Sequence, residues 1–130
     1  LVKSMFEEAL AELEWVLPHV QPISTGTKAE SGCVYAQAGR IQEARRILRE
    51  CEEASIQERI EDVNSPALAL IHLKLGNKDR AFEWLEKAFE AHLTTPFEVK
   101  LSPFFDEITS DPRFDELMKK NVGSLALTRE

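Results

Sequence analysis

Apolar residues recur at helical spacing along most of this chain, in segments that proline or glycine separates. In the segment 40–54 they fall in steps of three and one along one face of a helix, and charged residues occupy the other face. That stripe consists of Ile41, Ala44, Ile47, Leu48 and Cys51. Patterns of this kind predict five helices, at residues 1–17, 27–38, 40–54, 65–75 and 78–93.

Breaker and capping residues set the ends of these predicted helices. Pro18 ends the first helix, because proline lacks the N–H that a helix interior needs. Thr27 and Glu30 have the spacing of a capping box, which predicts a helix start at Thr27. Gly39 and Gly76 each end a helix, since glycine enters the left-handed region at low cost. Between them, a serine and a proline at 65–66 start the fourth helix.

The pattern changes after residue 93. Phe97, Val99 and Leu101 alternate with charged residues, which predicts a short extended stretch. A single turn follows at 103–108, and a last helix begins at 111–112 and fades at 121–123. The tail 124–130 is expected to fray. Because no set of strands could build a sheet, the predicted fold class is all-α.

The chain contains an internal repeat with a period of 37 residues. Six positions of one helix–glycine–helix unit coincide with six of the next. In the first unit they are Gly32, Tyr35, Gly39, Ala44, Leu48 and Cys51. In the second unit they are Ala69, His72, Gly76, Ala81, Leu85 and Ala88. Antiparallel helices approach closely only where small residues lie at their crossing, and larger side chains fill the gaps beside it.

This set of positions resembles the tetratricopeptide repeat, in which a small residue, an aromatic residue, a turn glycine and two alanines recur at these intervals. His72 departs from the aromatic position and Cys51 from the last alanine. More narrowly, the runs 75–89 and 110–114 resemble the C-terminal repeat regions of multidomain prokaryotic signalling and regulatory proteins. The resemblance implies antiparallel helix pairs stacked as a right-handed superhelix.

On this reading residues 1–130 form a single domain. Residues 1–17 are the second helix of a truncated repeat, 27–60 and 65–93 are two repeats, 94–123 are a helical cap and 124–130 are a tail. Solenoids need such a cap over the terminal unit. The aromatic residues expected to form it are Phe97, Phe104, Phe105 and Phe114.

The charge of the chain narrows the classes of partner. With a formal net charge of −7, this segment has no basic face for phosphate neutralisation. We therefore expect neither a nucleic-acid partner nor an acidic membrane surface. Cys33 and Cys51 form no CxxC or zinc pattern, and we interpret them as buried apolar residues in a reducing, cytoplasmic compartment, with a disulfide or a reactive thiol as the alternatives.

A groove on the inner surface of the array is the candidate binding site. The first helix of each repeat would line it, and the residues expected there are Ala29, Cys33, Ala36, Gln37, Pro66, Leu70, Leu73 and Lys74. Similar repeats that bind acidic peptide C-termini use Lys, Asn and Arg here, a set this chain lacks. Such a groove either receives an apolar helix or peptide or is covered within the parent protein.

Catalytic chemistry is not legible in the sequence. His72 and His92 have no acidic partner at a recognisable spacing, and the paired carboxylates are ordinary for an acidic helical protein. Trp15 and Trp84 are read as core or unit-interface residues, with a binding hot spot as the alternative. No catalytic, cofactor-binding or metal-ligating residue is predicted, and no cofactor is implied.

The predicted function is a protein–protein interaction scaffold, serving as the docking or sensing module of a larger regulatory protein. The alternatives are a structural spacer or dimerisation module, and a small-ligand sensor with a pocket between Tyr35, His72 and the groove. Self-association through residues 1–17 is a further expectation, which would make the fragment a homo-oligomer.

Overall fold

The computed structural model describes residues 2–19 and 23–128, and within them every regular element is helical. The helices are α1 (Val2–His19), α2 (Thr25–Gln37), α3 (Ile41–Ser55), α4 (Ser65–Lys74), α5 (Lys78–Glu90), α6 (Pro96–Leu101), α7 (Asp106–Thr109) and α8 (Pro112–Thr128). Single 3₁₀ turns lie at Ile60–Asp62 and Pro103–Phe105. The all-α helical-repeat fold is therefore confirmed.

Two helix pairs form the body of the fold. Helix α2 packs on α3, α4 packs on α5, and α2 also packs on α4, so that the two pairs stack. Helix α1 adds to the first pair through α2, and α8 adds to the second through α5. One apolar core runs through both pairs and into the C-terminal segment, where it includes Val99, Phe105, Ile108 and Phe114.

The predicted glycine turns are confirmed. Gly39 and Gly76 have φ angles of 82° and 85°, in the left-handed region where a side chain would be strained. The same hydrogen bond, from a backbone N–H to the carbonyl five residues earlier, closes each turn. The N–H of Arg40 donates to the carbonyl of Tyr35, and the N–H of Asn77 donates to the carbonyl of His72, both at 2.8 Å.

Small residues at the helix crossings are the second repeat feature that the structure confirms. A Cβ added to Gly32 would lie 2.7 Å from Ile71 Cδ1 and 2.9 Å from Ile47 Cγ2, so no side chain fits between α2, α3 and α4. The alanine that corresponds to Gly32 in the second unit is completely buried, and so are the alanine of the second helix and the last repeat position in each unit. These residues are Ala44, Cys51, Ala69, Ala81 and Ala88.

The cap residues of two helices differ from those predicted. Helix α2 begins at Thr25, and the hydroxyl of Ser24 accepts the N–H of Thr27 at 3.2 Å, so Ser24 rather than Thr27 is the cap. Helix α4 begins at Ser65, and its cap is Asn64, whose side-chain oxygen accepts the N–H of Ala67. Asn64 adopts φ 60°, a left-handed conformation that asparagine tolerates.

The prediction of an extended stretch at 97–101 was wrong, because these residues belong to α6. Thr95 caps that helix by accepting the N–H of Glu98, and Pro96 occupies its first turn, a favoured place for proline. Val99 is buried, whereas Phe97 and Leu101 are both 68% exposed. Phe97 therefore does not pack into the cap, contrary to the prediction.

The last helix is also longer than predicted, since α8 continues to Thr128 and residues 129–130 lie outside the described part. Asn121 and Gly123 signal a helix end in the sequence, but α8 continues through them, and no proline follows residue 112 to prevent this. Polar contacts attach α8 to α5: Arg113 pairs with Asp79 and covers the Phe82 ring at 4.5 Å. The backbone N–H of Arg113 also donates to Asp111 and, with the Arg113 side chain, lowers the pKa of that carboxyl to about 2.

We predict that Gly32→Ala destabilises the protein by about 1–3 kcal/mol, because the new methyl group must displace Ile47 and Ile71 from a packed crossing. Gly26→Ala is the matched control. The nearest atoms to its added Cβ are Asp62 O at 3.4 Å and Asn64 Cβ at 3.7 Å, so we expect no loss and up to about 1 kcal/mol of gain. Urea unfolding followed by circular dichroism measures both. Equal stability of the two variants would contradict the packing argument.

Candidate acidic cleft and a half-buried carboxylate network

The structure divides the eight residues of the predicted groove between the core and the surface. Ala29, Ala36, Leu70 and Leu73 are buried. Cys33, Gln37 and Pro66 are half-buried, and Lys74 is exposed. The prediction of one open groove lined by all eight is corrected accordingly, and the role of the four accessible residues stays a prediction.

The packing of the first helices explains this burial. Helix α2 lies directly on α4, and the thiol of Cys33 donates to the carbonyl of Ala67 across that contact at 3.2 Å. The face of a first helix that was expected to line a groove is therefore the face that meets the next unit. In α4 the equivalent residues, Leu70 and Leu73, belong to the core that continues into the C-terminal segment.

An open cleft of about 800 Å³ lies where the two units begin. It is lined by residues 24–27 and Glu30 at the start of α2, by the connection between the units, and by Asn64 and Pro66 at the start of α4. Leu93, just after α5, closes one side. Of the predicted groove residues, Pro66 is the one that lines this cleft.

The lining of this cleft is acidic. Four carboxylates face one base, Arg59, and that base already pairs with Glu61 at 3.4 Å. Hydrogen bonds hold two more of the acids in place: Thr25 donates to Glu58 at 2.8 Å, and Asn64 donates to Glu30 at 3.4 Å. The fourth acid is Asp62. A cleft with this surplus of negative charge attracts cationic groups.

A second polar cluster lies between α3, α4 and α5. One oxygen of Glu52, Oε2, accepts hydrogen bonds from His72 Nε2 at 2.8 Å, Arg80 Nη2 at 2.9 Å and Trp84 Nε1 at 2.9 Å. Burial alone would raise the pKa of Glu52, but the hydrogen bonds from His72, Trp84 and Arg80 outweigh it and hold the pKa below its ordinary value. The carboxylate thus joins the two repeats.

Sequence reasoning missed this cluster. The sequence pattern puts Glu52 on the charged, solvated face of its helix and offers no acidic partner for His72 at a recognisable spacing. In the structure the two side chains form a direct hydrogen bond. The partners lie 20 to 32 residues apart on three helices, so no local spacing could reveal them. A sequence signal for this cluster is the repeat alignment, in which the polar His72 stands at the aromatic position that Tyr35 occupies in the first unit. For Trp84, the prediction of a core or unit-interface residue is confirmed, since the residue is 4% exposed; the same prediction for Trp15 was wrong, since that residue is 65% exposed.

The two thiols are protected by their surroundings. Burial, with smaller contributions from Glu30 and Cys51, raises the pKa of Cys33 to about 12. Burial also raises the pKa of Cys51 to about 11, against an opposing effect of Lys28. Both cysteines are free and stay protonated at neutral pH, which makes them poor nucleophiles. In the part of the chain that the structure describes, no cluster of three or more potential metal ligands is found, and no helix is long and apolar enough to cross a membrane.

Comparison with known proteins agrees with the repeat assignment. Residues 67–91 match the family model of the tetratricopeptide repeat. This range runs from the third residue of α4 to the residue after α5. No curated protein and no solved structure matches this chain significantly. Tetratricopeptide repeats generally mediate protein–protein interactions and are typically not enzymes, which supports a scaffold role.

We predict that Glu52→Gln lowers the free energy of unfolding at pH 7 by about 1–3 kcal/mol, because three donors lose a charged acceptor. Glu53→Gln, which removes the same charge from an exposed neighbour, should change it by less than about 0.5 kcal/mol.

The effect of Glu52→Gln should also depend on pH. Since the pKa of Glu52 is lowered in the folded state, its stabilisation is complete above the ordinary pKa of a glutamate and is lost as pH falls through the lower folded pKa. Urea unfolding at pH 7 and at low pH tests this. A difference between wild type and variant that persists undiminished in acid would refute the assignment.

Proposed function

We propose that this chain is a protein-interaction scaffold, acting in the cytoplasm as the docking or sensing module of a larger regulatory protein. The match of residues 67–91 to the tetratricopeptide family supports the interaction role. The observation that carries the choice of surface is the acidic cleft at the start of the two units, because it is wide, open and built from both repeats.

The chemistry of the cleft indicates the kind of partner. Four carboxylates and one paired arginine suit a segment that carries lysine or arginine, and a charged cleft accelerates the encounter with such a segment. The cleft does not continue along α4, because Leu70 and Leu73 beyond Pro66 are buried. The bound segment is therefore expected to lie within the cleft.

A short capped peptide of alternating lysine and alanine is a suitable probe. We expect it to shift the amide NMR signals of residues 24–30 and 57–62, and Glu61→Gln with Asp62→Asn to weaken its binding about tenfold. The matched control, Glu90→Gln with Glu107→Gln, removes the same charge from two exposed positions outside the cleft and should weaken binding less than about twofold. Equal weakening by both pairs, or shifts confined to α3 and α5, would contradict the proposal.

Dimerisation is a second candidate function, and one observation favours it. In helix α1, Trp15 is 65% exposed and Met5 is 68% exposed, and the ring of His19 stacks on that of Trp15 at 4.6 Å. Large exposed apolar side chains on one helix face are typical of surfaces that associate. A second copy of the chain is the occupant proposed for this face, as the sequence led us to expect.

We predict that the apparent mass in light scattering rises towards a dimer with protein concentration and that Trp15→Gln returns it to the monomer. Ile56→Gln is the control, since Ile56 is 83% exposed but lies at the end of α3, away from α1. A monomer at all concentrations would exclude this second function, as would an equal effect of the two substitutions.

A further inference from the structure

The arginines of α3 differ from the other arginines that the structure describes. Arg40, Arg59, Arg80 and Arg113 each form at least one ion pair. Arg45, Arg46 and Arg49 form none with the described residues, and all three lie on α3. In a chain with a net charge of −7, acids to pair with are plentiful, so three unpaired cations on one helix are unexpected.

Two of these cations border a cleft of about 370 Å³ between α3 and the α4–α5 turn. Arg45 and Arg49 lie one helical turn apart and form the α3 side, with Leu48 between them. Leu75 and Asn77 form the opposite side. The cleft therefore combines two guanidinium groups and an amide with apolar surface.

The carboxylate that lines this cleft already has hydrogen-bond partners within the chain. Glu52 lies in the lining beside His72, but its Oε2 accepts bonds from His72, Arg80 and Trp84. These bonds hold the carboxylate against α4 and α5, and no ion pair joins it to Arg45 or Arg49. The two exposed guanidinium groups thus keep their fork of donors for an external acceptor.

We infer that this cleft binds an acidic segment of a partner protein, in which carboxylate side chains stand beside an apolar one. Guanidinium groups bind carboxylates through two parallel hydrogen bonds, which gives both strength and orientation. Leu75, which is half-buried, offers contact to the apolar side chain. A carboxylate suits the site better than a phosphate dianion, because Glu52 would repel the larger charge more strongly.

This site is separate from the acidic cleft of the proposed function. The acidic cleft is lined by the start of α2, the connection between the units and the start of α4, and the arginine cleft by α3 and the α4–α5 turn. The two share no lining residue. The two clefts carry opposite charge, so each would bind a different kind of segment. Either proposal can therefore be wrong without the other.

The test uses a short capped peptide that alternates glutamate and leucine, titrated into the full chain at low salt. In a Trp15→Phe background Trp84 is the remaining tryptophan, and its emission reports binding because its indole donates to Glu52 beside the cleft. We expect Arg49→Gln alone to weaken binding about fivefold, and Arg45→Gln with Arg49→Gln about tenfold or more. Arg46→Gln is the matched control: it is also unpaired and on α3 but does not line the cleft, so we expect less than about a twofold change.

Three results would overturn the inference. The first is that the wild-type chain fails to bind the peptide at millimolar concentration. The second is that Arg46→Gln weakens binding as much as Arg49→Gln, which would indicate a diffuse charge effect. The third is that the same peptide with glutamine for glutamate, or inorganic phosphate, binds equally well. Binding of the lysine–alanine peptide should not fall in the Arg45→Gln, Arg49→Gln variant, which separates this inference from the proposed function.

Discussion

The close approach of α2, α3 and α4 at Gly32 is the constraint on which the other features depend. Because a single Cβ at this position would collide with both Ile47 and Ile71, the three helices pack at the distance that a glycine allows. The completely buried Ala69 and Ala81 repeat this arrangement in the second unit. This spacing brings α4 against α2, and it buries the side of α2 that an isolated helix pair would expose.

That packing decides where function can lie. When Ala29, Ala36, Leu70 and Leu73 serve as contacts within the core, they are no longer available to a partner. Two charged clefts are instead found at the edges of the stack, one at the start of the two units and one beside α3. Charge separates between these edges, with acids at one and unpaired arginines at the other.

The sequence predicts those parts of the fold that depend on local chemistry or on the repeat. Gly39 and Gly76 signal their turns because few other residues adopt a left-handed conformation, and the small residues signal close crossings. It does not predict which face of α2 meets α4, since Ala29 and Cys33 suit a groove and an interface equally. It also could not reveal the contact of Glu52 with Trp84, which depends on how three helices are placed in space.

The length of the repeat links the sequence to the acidic cleft. The first unit repeats after 37 residues, whereas tetratricopeptide units have about 34. The additional residues lie in the connection between α3 and α4, and this connection carries Glu58, Glu61 and Asp62. A connection about three residues shorter would leave less room for these acids between the two helices. The difference from the tetratricopeptide length thus lies in the segment that lines the cleft with acids.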